Sequence, residues 1–156
     1  MIVPAGSAEF AALAAGLPPH GWSLAPGEAI APPEVLAMLA GLADTIRPDF
    51  APAAWLVVED GEVVGLISLV VPYADRIIRI GYGVAPGCRR RGVATRATGE
   101  ILAWARRDAR VDCVMAETDH HNLASHRVLE RNGFGRIGER FDDEDGDLIV
   151  WEAATA

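Results

Sequence analysis

Three consecutive arginines, Arg89, Arg90 and Arg91, stand directly before Gly92, where an isoleucine-rich segment gives way to a helical pattern. A strand that runs into a basic, glycine-containing loop and then opens a helix makes an anion site. The first amides of a helix have no carbonyl partner within it, so they point at whatever lies in front. The aligned peptide dipoles add positive potential at the same end. Gly92 lets a bulky phosphate approach the backbone, and the small Ala94 clears the next turn. The guanidinium groups attract anions at longer range. The stretch from Arg89 through Val93 to Thr95 is therefore read as a pyrophosphate loop, with a solvated basic turn before an ordinary helix as the alternative. Spacing excludes two other phosphate loops. The chain has no lysine for G-x-x-x-x-G-K-[ST], and the glycines of G-x-G-x-x-G are missing.

A second group of reactive side chains follows the apolar run at 111–116. Glu117 ends that run, and Asn122 and Ser125 come next. A carboxylate at a strand end takes a proton from an ammonium, directly or through water; the alternative is a solvated charge or a group that only positions substrate. Asn122 suits either a binding amide or a helix N-cap, and both roles are compatible. Ser125 lies one helical turn further on the same face. His120, His121 and His126 gather nearby, but a metal needs more ligands at fixed geometry, so exposed histidines are favoured. Cys88 and Cys113 form neither a metal pattern nor a disulfide framework. Cys113, in an apolar strand, is expected in the core. Cys88, beside three arginines, has surroundings that could lower its pKa, but a nucleophilic role is disfavoured. The acidic turn 142–147 lacks the spacing and closing glutamate of a calcium loop.

These groups need a scaffold. Residues 7–15 suit a short helix with Ser7 as N-cap, and residues 22–25 a first strand. Pro32 and Pro33 suit a helix start. Val35, Leu36, Leu39, Leu42 and Ile46 then recur at helical spacing until Pro48. From residue 54 the pattern becomes strands. Segments 55–59 and 62–71 flank Asp60-Gly61, a strong type I′ hairpin signal, and 76–84 is a third strand. A helix over 93–107, a strand over 111–117 and a helix over 122–131, stopped by Asn132-Gly133, come next. Segments 135–141 and 147–152 make a last hairpin. Strands alternate with helices only in the second half, so the sheet should be mixed, with an antiparallel front and a parallel crossover. Trp22, Trp55, Trp104 and Trp151 are scattered and expected in the core or at its rim.

With 156 residues the chain suits one domain. Its 51% hydrophobic and 23% charged residues are ordinary for a globular protein. No apolar run reaches the ~18 residues of a bilayer span, and the N-terminus shows no secretory pattern, so a cytoplasmic location is expected. A net charge of −8 argues against general nucleic-acid binding and is compatible with a cationic substrate such as an amine.

Taken together, these motifs resemble the GNAT acetyltransferases. The family's pyrophosphate motif R/Q-x-x-G-x-G/A is matched by Arg89, Gly92 and Ala94. The segment Ile80-Gly81-Tyr82-Gly83-Val84-Ala85-Pro86 is similar to the family's fourth strand. A second block runs from Ala116 through Glu117, Asn122 and Ser125 to Gly133-Phe134. It is similar to the A-x-x-x-x-x-N-x-x-S…GF pattern of the ribosomal-protein N-terminal acetyltransferase branch. The match spans about residues 54–152; residues 1–50 agree only in general layout.

The resemblance implies one GNAT domain over residues 1–156 with an α+β (mixed α/β) fold. Its central sheet is mixed and mostly antiparallel, splayed between the family's fourth and fifth strands, with helices on both faces. It implies acetyl-CoA as acyl-donor cosubstrate and no metal. Tyr82, Gly83 and Val84 would follow the pantetheine arm, with Asn122 and Ser125. Arg89, Arg90, Arg91, Gly92, Val93, Ala94 and Thr95 would surround the pyrophosphate. The implied reaction is direct acetyl transfer to a primary amine of a small molecule or a protein N-terminus, with Glu117 matching the family's proposed base.

Two departures stand out. The family branch places a tyrosine seven residues after the asparagine to protonate the leaving thiolate; here Leu129 stands there. Many relatives carry an acidic residue where this chain has Arg79. Ser125, Tyr82 or water would then serve as acid. The same departures motivate the alternative, an acyl-CoA-binding regulatory or interaction module without turnover. Expected partners are acetyl-CoA and an amine acceptor, with no nucleic acid and no membrane, and a homodimer is compatible with the pattern.

Overall fold

The computed structural model describes residues 1–27 and 29–156. In chain order the described elements are β1 (Ile2–Pro4), α1 (Ser7–Ala14), β2 (Ser23–Leu24), α2 (Pro33–Ile46), β3 (Ala54–Glu59), β4 (Glu62–Leu69), β5 (Ile77–Val84), α3 (Val93–Arg107), β6 (Cys113–Asp119), α4 (Leu123–Arg131), β7 (Gly135–Asp142) and β8 (Gly146–Ala154). A single 3₁₀ turn, Pro86–Cys88, precedes α3.

Asp60 and Gly61 both take positive φ, 51° and 78°, and this closes the β3–β4 hairpin as their sequence requires. The eight strands form one sheet in the order β1-β3-β4-β5-β6-β8-β7, with β2 alongside β4. Every pairing is antiparallel except β5 with β6 and the two-residue β2 with β4. The parallel step is the crossover through α3, as the change from strand to helix periodicity implied.

Helices cover both faces. Gly83 of β5 faces Ile30, just before α2, while the next residue back, Tyr82, turns to the opposite face and meets Ser125 of α4. Strands β3 and β4 are buried along nearly their whole length, which explains why both read as continuous apolar runs rather than alternating ones. Trp55, Leu56, Ile67, Ile80, Ile101, Leu102 and Ile149 form the centre of the core. No described helix is long and apolar enough to cross a membrane.

The structure corrects several expectations. The first strand is Ile2–Pro4, paired with β3, and the 22–25 segment supplies only Ser23–Leu24. Three residues carry no readable alternation; long-range pairing and an ion pair from the Met1 ammonium to Glu100 of α3, at 2.9 Å, hold them. Helix α1 is capped by Gly6, not Ser7. The Gly6 N–H donates to Glu9 Oε2 at 2.9 Å, and the Ser7 hydroxyl donates instead to Asp44 of α2 at 3.1 Å. The cysteines exchange places: Cys88 is the buried one and Cys113 is only half-buried. Strands β5 and β6 start later than expected, at Ile77 and Cys113, because Asp75 and Arg76 take positive φ and the Arg76 guanidinium pairs with Asp112.

Candidate acetyl-transfer site

The parallel pair β5–β6 is in register from Ile77↔Cys113 to Ile80↔Ala116 and stops there. Beyond that point β5 stays paired to β4 as far as Val84, and β6 stays paired to β8 as far as Asp119. The two halves of the sheet therefore diverge from Gly81 and Glu117 onward. This is the splay that the family resemblance implied.

Hydrogen-bond alternation shows which groups face the gap. Ala85 N–H donates to Val64 C=O at 2.8 Å and Val70 N–H to Arg79 C=O at 3.0 Å, so the odd-numbered residues of β5 bond to β4. The N–H and C=O of Tyr82 and Val84 are thus directed into the gap. On the other wall, His120 N–H donates to Asp147 C=O at 3.2 Å and Thr155 N–H to Asp112 C=O at 3.0 Å. Even-numbered residues of β6 therefore bond to β8, and the backbone of Glu117 and Asp119 faces the gap. Arg89 Nε donates to Val84 C=O at 3.3 Å and links the strand end to the basic loop.

The loop has the conformation expected of an anion cradle. Arg90 and Gly92 take left-handed φ of 62° and 74°. Gly92 is the N-cap of α3 and has no side chain to close the helix end. The first intrahelical bond runs from Arg96 N–H to Gly92 C=O at 3.0 Å, which leaves the N–H groups of Val93, Ala94 and Thr95 projecting from the end. No acidic residue lies in the first turn to compete for them. Arg89, Arg90 and Arg91 are exposed, whereas Arg96 is bound to Glu59 at 2.8 Å.

The sequence-designated reactive residues fall on two sides of the gap. Tyr82 and Ser125 come together on the α4 face. The Tyr82 hydroxyl is buried and has no hydrogen-bond partner. Burial pushes its pKa up, and the nearby Ser125 hydroxyl offsets part of the rise without reaching hydrogen-bonding geometry. The phenol therefore stays protonated at neutral pH. Asn122 is the N-cap of α4: its Oδ1 accepts from Ser125 N–H at 3.2 Å, and its amide nitrogen is left for other contacts. Leu129, at the position of the branch's tyrosine, is buried in the core.

Glu117 lies on the opposite face, the one shared by Arg79, Gly81 and Gly83. It is not a free solvated charge; only 13% of its side chain is exposed. Arg79 Nη1 donates to Oε1 at 3.0 Å, and Arg140 of β7 donates to Oε2 through Nη2 at 2.7 Å and Nε at 2.8 Å. Arg79, the departure noted in the sequence, is thus an ion-pair partner of the carboxylate.

On the same face of the sheet as Glu117, a cavity of about 300 Å³ opens between α2 and strands β4 and β5. Val35 and Leu39, two of the five residues that recur at helical spacing, line it and are half-buried. Helical spacing is the same for a core and for a cavity wall, and nothing in the sequence separated them. Arg140 was also missed, because its partner lies 23 residues away on another strand.

The histidines serve local contacts. His126 Nε2 lies 3.0 Å from Asp119 C=O, and His120 pairs with Glu139 at 3.2 Å. No group of three or more His, Cys, Asp or Glu among the described residues has the arrangement to hold a metal.

A family model described as an acetyltransferase (GNAT) domain matches residues 21–135. The uncharacterized N-acetyltransferase YjdG of Bacillus subtilis (strain 168) is 30% identical over 84 residues, 52% of this chain. The chain spans about half the length of that curated relative, 50% of it. Among solved structures, the ribosomal-protein-S5-alanine acetyltransferase of Vibrio fischeri is 18% identical with a TM-score of 0.69, covering 99% of this chain and 92% of that one. The ribosomal L7/L12 alpha-N-protein acetyltransferase RimL, in complex with coenzyme A, is 16% identical with a TM-score of 0.74, covering 98% and 92%. A chimera of the Vibrio cholerae spermidine N-acetyltransferase SpeG and hSSAT is 13% identical with a TM-score of 0.72, covering 99% and 95%.

Proposed function

The chain belongs to the GNAT acetyltransferase family, and from that premise we propose that it transfers an acetyl group from acetyl-CoA to a primary amine. One observation carries the reading. Unpaired strand groups between β5 and β6 lead directly to an uncapped, arginine-flanked helix end. Strand groups left unpaired in a gap suit an extended arm with amides of its own, which adds as a pseudo-strand. A helix end with free N–H groups suits a pyrophosphate. Tyr82 and Val84 would pair with the pantetheine arm, with Gly83 between them leaving room for it. Asn122 and Ser125 would flank the arm from α4, and the loop from Arg89 to Thr95 would hold the phosphates.

Acetyl-CoA, when bound, supplies the acetyl group as a thioester. The protein's part is to align the amine, take a proton and return one. Glu117 is the proposed base, on the face that opens to the cavity. An incoming ammonium would replace Arg140 at Oε2, since that arginine is an exposed partner on an edge strand, while Arg79 keeps Oε1 in place. Tyr82, with Ser125 beside it, is the proposed acid on the other face. A C–N bond forms as the C–S bond breaks. The ammonium loses two protons: one goes through Glu117 to solvent, and the other restores Tyr82, which has given its own proton to the leaving sulfur. Holding the reactants in register supplies much of the rate.

Amine-dependent release of free CoA from acetyl-CoA tests the reaction. Tyr82→Phe tests the acid. Removing a buried hydroxyl that has no partner should leave the melting temperature unchanged or raise it. Turnover should nevertheless fall by roughly 10²-fold. A variant with normal turnover would remove Tyr82 from the chemistry and leave Ser125 or water as the acid.

A further inference from the structure

The cavity on the Glu117 face of the sheet indicates what kind of amine fits. Its wall is formed mainly by Ile30, Val35, Leu39 and Leu66, and its floor by glycines of β5. No described lining residue is an acid or base that is charged at neutral pH; Tyr82, the ionisable one among them, directs its hydroxyl toward Ser125 of α4. Gly83 leaves the floor bare, because a Cβ there would point at Ile30 from 4.0 Å. At about 300 Å³ the space is roughly twice an apolar cavity that takes up benzene. The one buried polar side chain in the wall is Ser68, 2% exposed. Its hydroxyl donates only to the adjacent Leu69 carbonyl at 3.2 Å, so its lone pairs are left to accept from an amine.

The charged groups on the same face of the sheet point the same way. Both oxygens of Glu117 are held by guanidinium groups, and Arg79 presents a further buried Nε–H without a partner. Two arginines against one carboxylate make this cluster locally cationic, although the chain as a whole carries −8. A polyamine needs carboxylates for its distal charges, and this cavity offers none among its described lining residues. We propose that the acceptor is a monoamine carrying an apolar aliphatic or aromatic group, which the cavity between α2 and the β4–β5 strands takes up. Val35, Leu39 and Leu66 are then specificity-determining residues. This inference rests on the transfer reading above.

The test is release of CoA from acetyl-CoA with methylamine, n-butylamine, phenethylamine and spermidine. The value of kcat/KM should rise along the first three. Phenethylamine should exceed spermidine by about 10–100-fold, the effect of burying one aromatic group. Leu39→Glu should reverse that preference while acetyl-CoA affinity, measured by calorimetry, stays unchanged. Leu39→Phe, which narrows the cavity without adding charge, should lower phenethylamine turnover and spare methylamine. A flat series or a preference for spermidine would overturn the acceptor class and leave the transfer reading intact. Turnover of no amine at all would overturn the transfer reading and this inference with it.

Discussion

Gly92→Glu is expected to abolish acetyl-CoA binding, with a loss of at least about 100-fold, or about 2.8 kcal/mol. Gly92 caps α3 at φ 74°, a backbone conformation that a residue with a Cβ adopts only under strain. A side chain there starts in front of the free N–H groups of Val93, Ala94 and Thr95, where the pyrophosphate is proposed to sit. Its carboxylate also places negative charge against the phosphates and takes the helix end for itself. A Cβ at this position would meet Arg96 Nη1 at 2.8 Å, but that contact is with the far end of a flexible side chain and yields easily. Gly92→Ala separates the effects: it carries the backbone strain without the charge and should keep most of the affinity. Calorimetric titration with acetyl-CoA checks both variants, and unchanged affinity in Gly92→Glu would remove the loop from the binding site.

Glu117→Gln is expected to lower turnover by roughly 10²–10⁴-fold while acetyl-CoA affinity stays nearly unchanged. Glutamine keeps the size and much of the hydrogen-bonding reach but cannot accept a proton. The limb of the pH–rate profile that reports the base should disappear with it. The substitution also replaces a carboxylate shared by Arg79 and Arg140 with a neutral amide, so those two cations lose their counter-charge. Arg140→Ala supplies the control, since it frees Oε2 and leaves Glu117 and its Arg79 pair in place. If Glu117 is the base, Arg140→Ala keeps or raises turnover while Glu117→Gln loses it. Near-normal turnover of Glu117→Gln across pH 6–9 would make the carboxylate a structural anchor for the two arginines.

The sequence disclosed most where structure is local. The Asp60-Gly61 hairpin, the Pro33 start of α2 and the Gly133 stop of α4 each follow from a few neighbouring residues with fixed conformational preferences. The basic loop was legible for the same reason, because strand, glycine and helix start lie within a dozen positions. What stayed hidden depends on distant partners. Strand β1 exists only through its pairing with β3, and its three residues have no period to detect. The Arg79–Glu117 and Arg140–Glu117 pairs join residues 38 and 23 positions apart, so Glu117 looked like a free carboxylate. Val35 and Leu39 were legible only as part of a helical repeat, because a helix gives a cavity wall and a core face the same spacing. The roles given to Glu117, Tyr82 and Ser125 came from the family pattern. The structure adds that the base and the acid candidates lie on opposite faces of the gap.

The central claim is that acetyl-CoA lies between β5 and β6 with its pyrophosphate on α3. Residue-resolved amide hydrogen exchange, with and without saturating acetyl-CoA, tests it most directly. The N–H groups of Tyr82 and Val84 face the gap without a strand partner, and those of Val93, Ala94 and Thr95 project from an uncapped helix end. All five should exchange quickly in the free protein and become protected together when acetyl-CoA binds, while Gly81 and Gly83, bonded to β4, change little. Binding that leaves Tyr82, Val84 and the first turn of α3 unprotected would place the cosubstrate elsewhere and contradict the account.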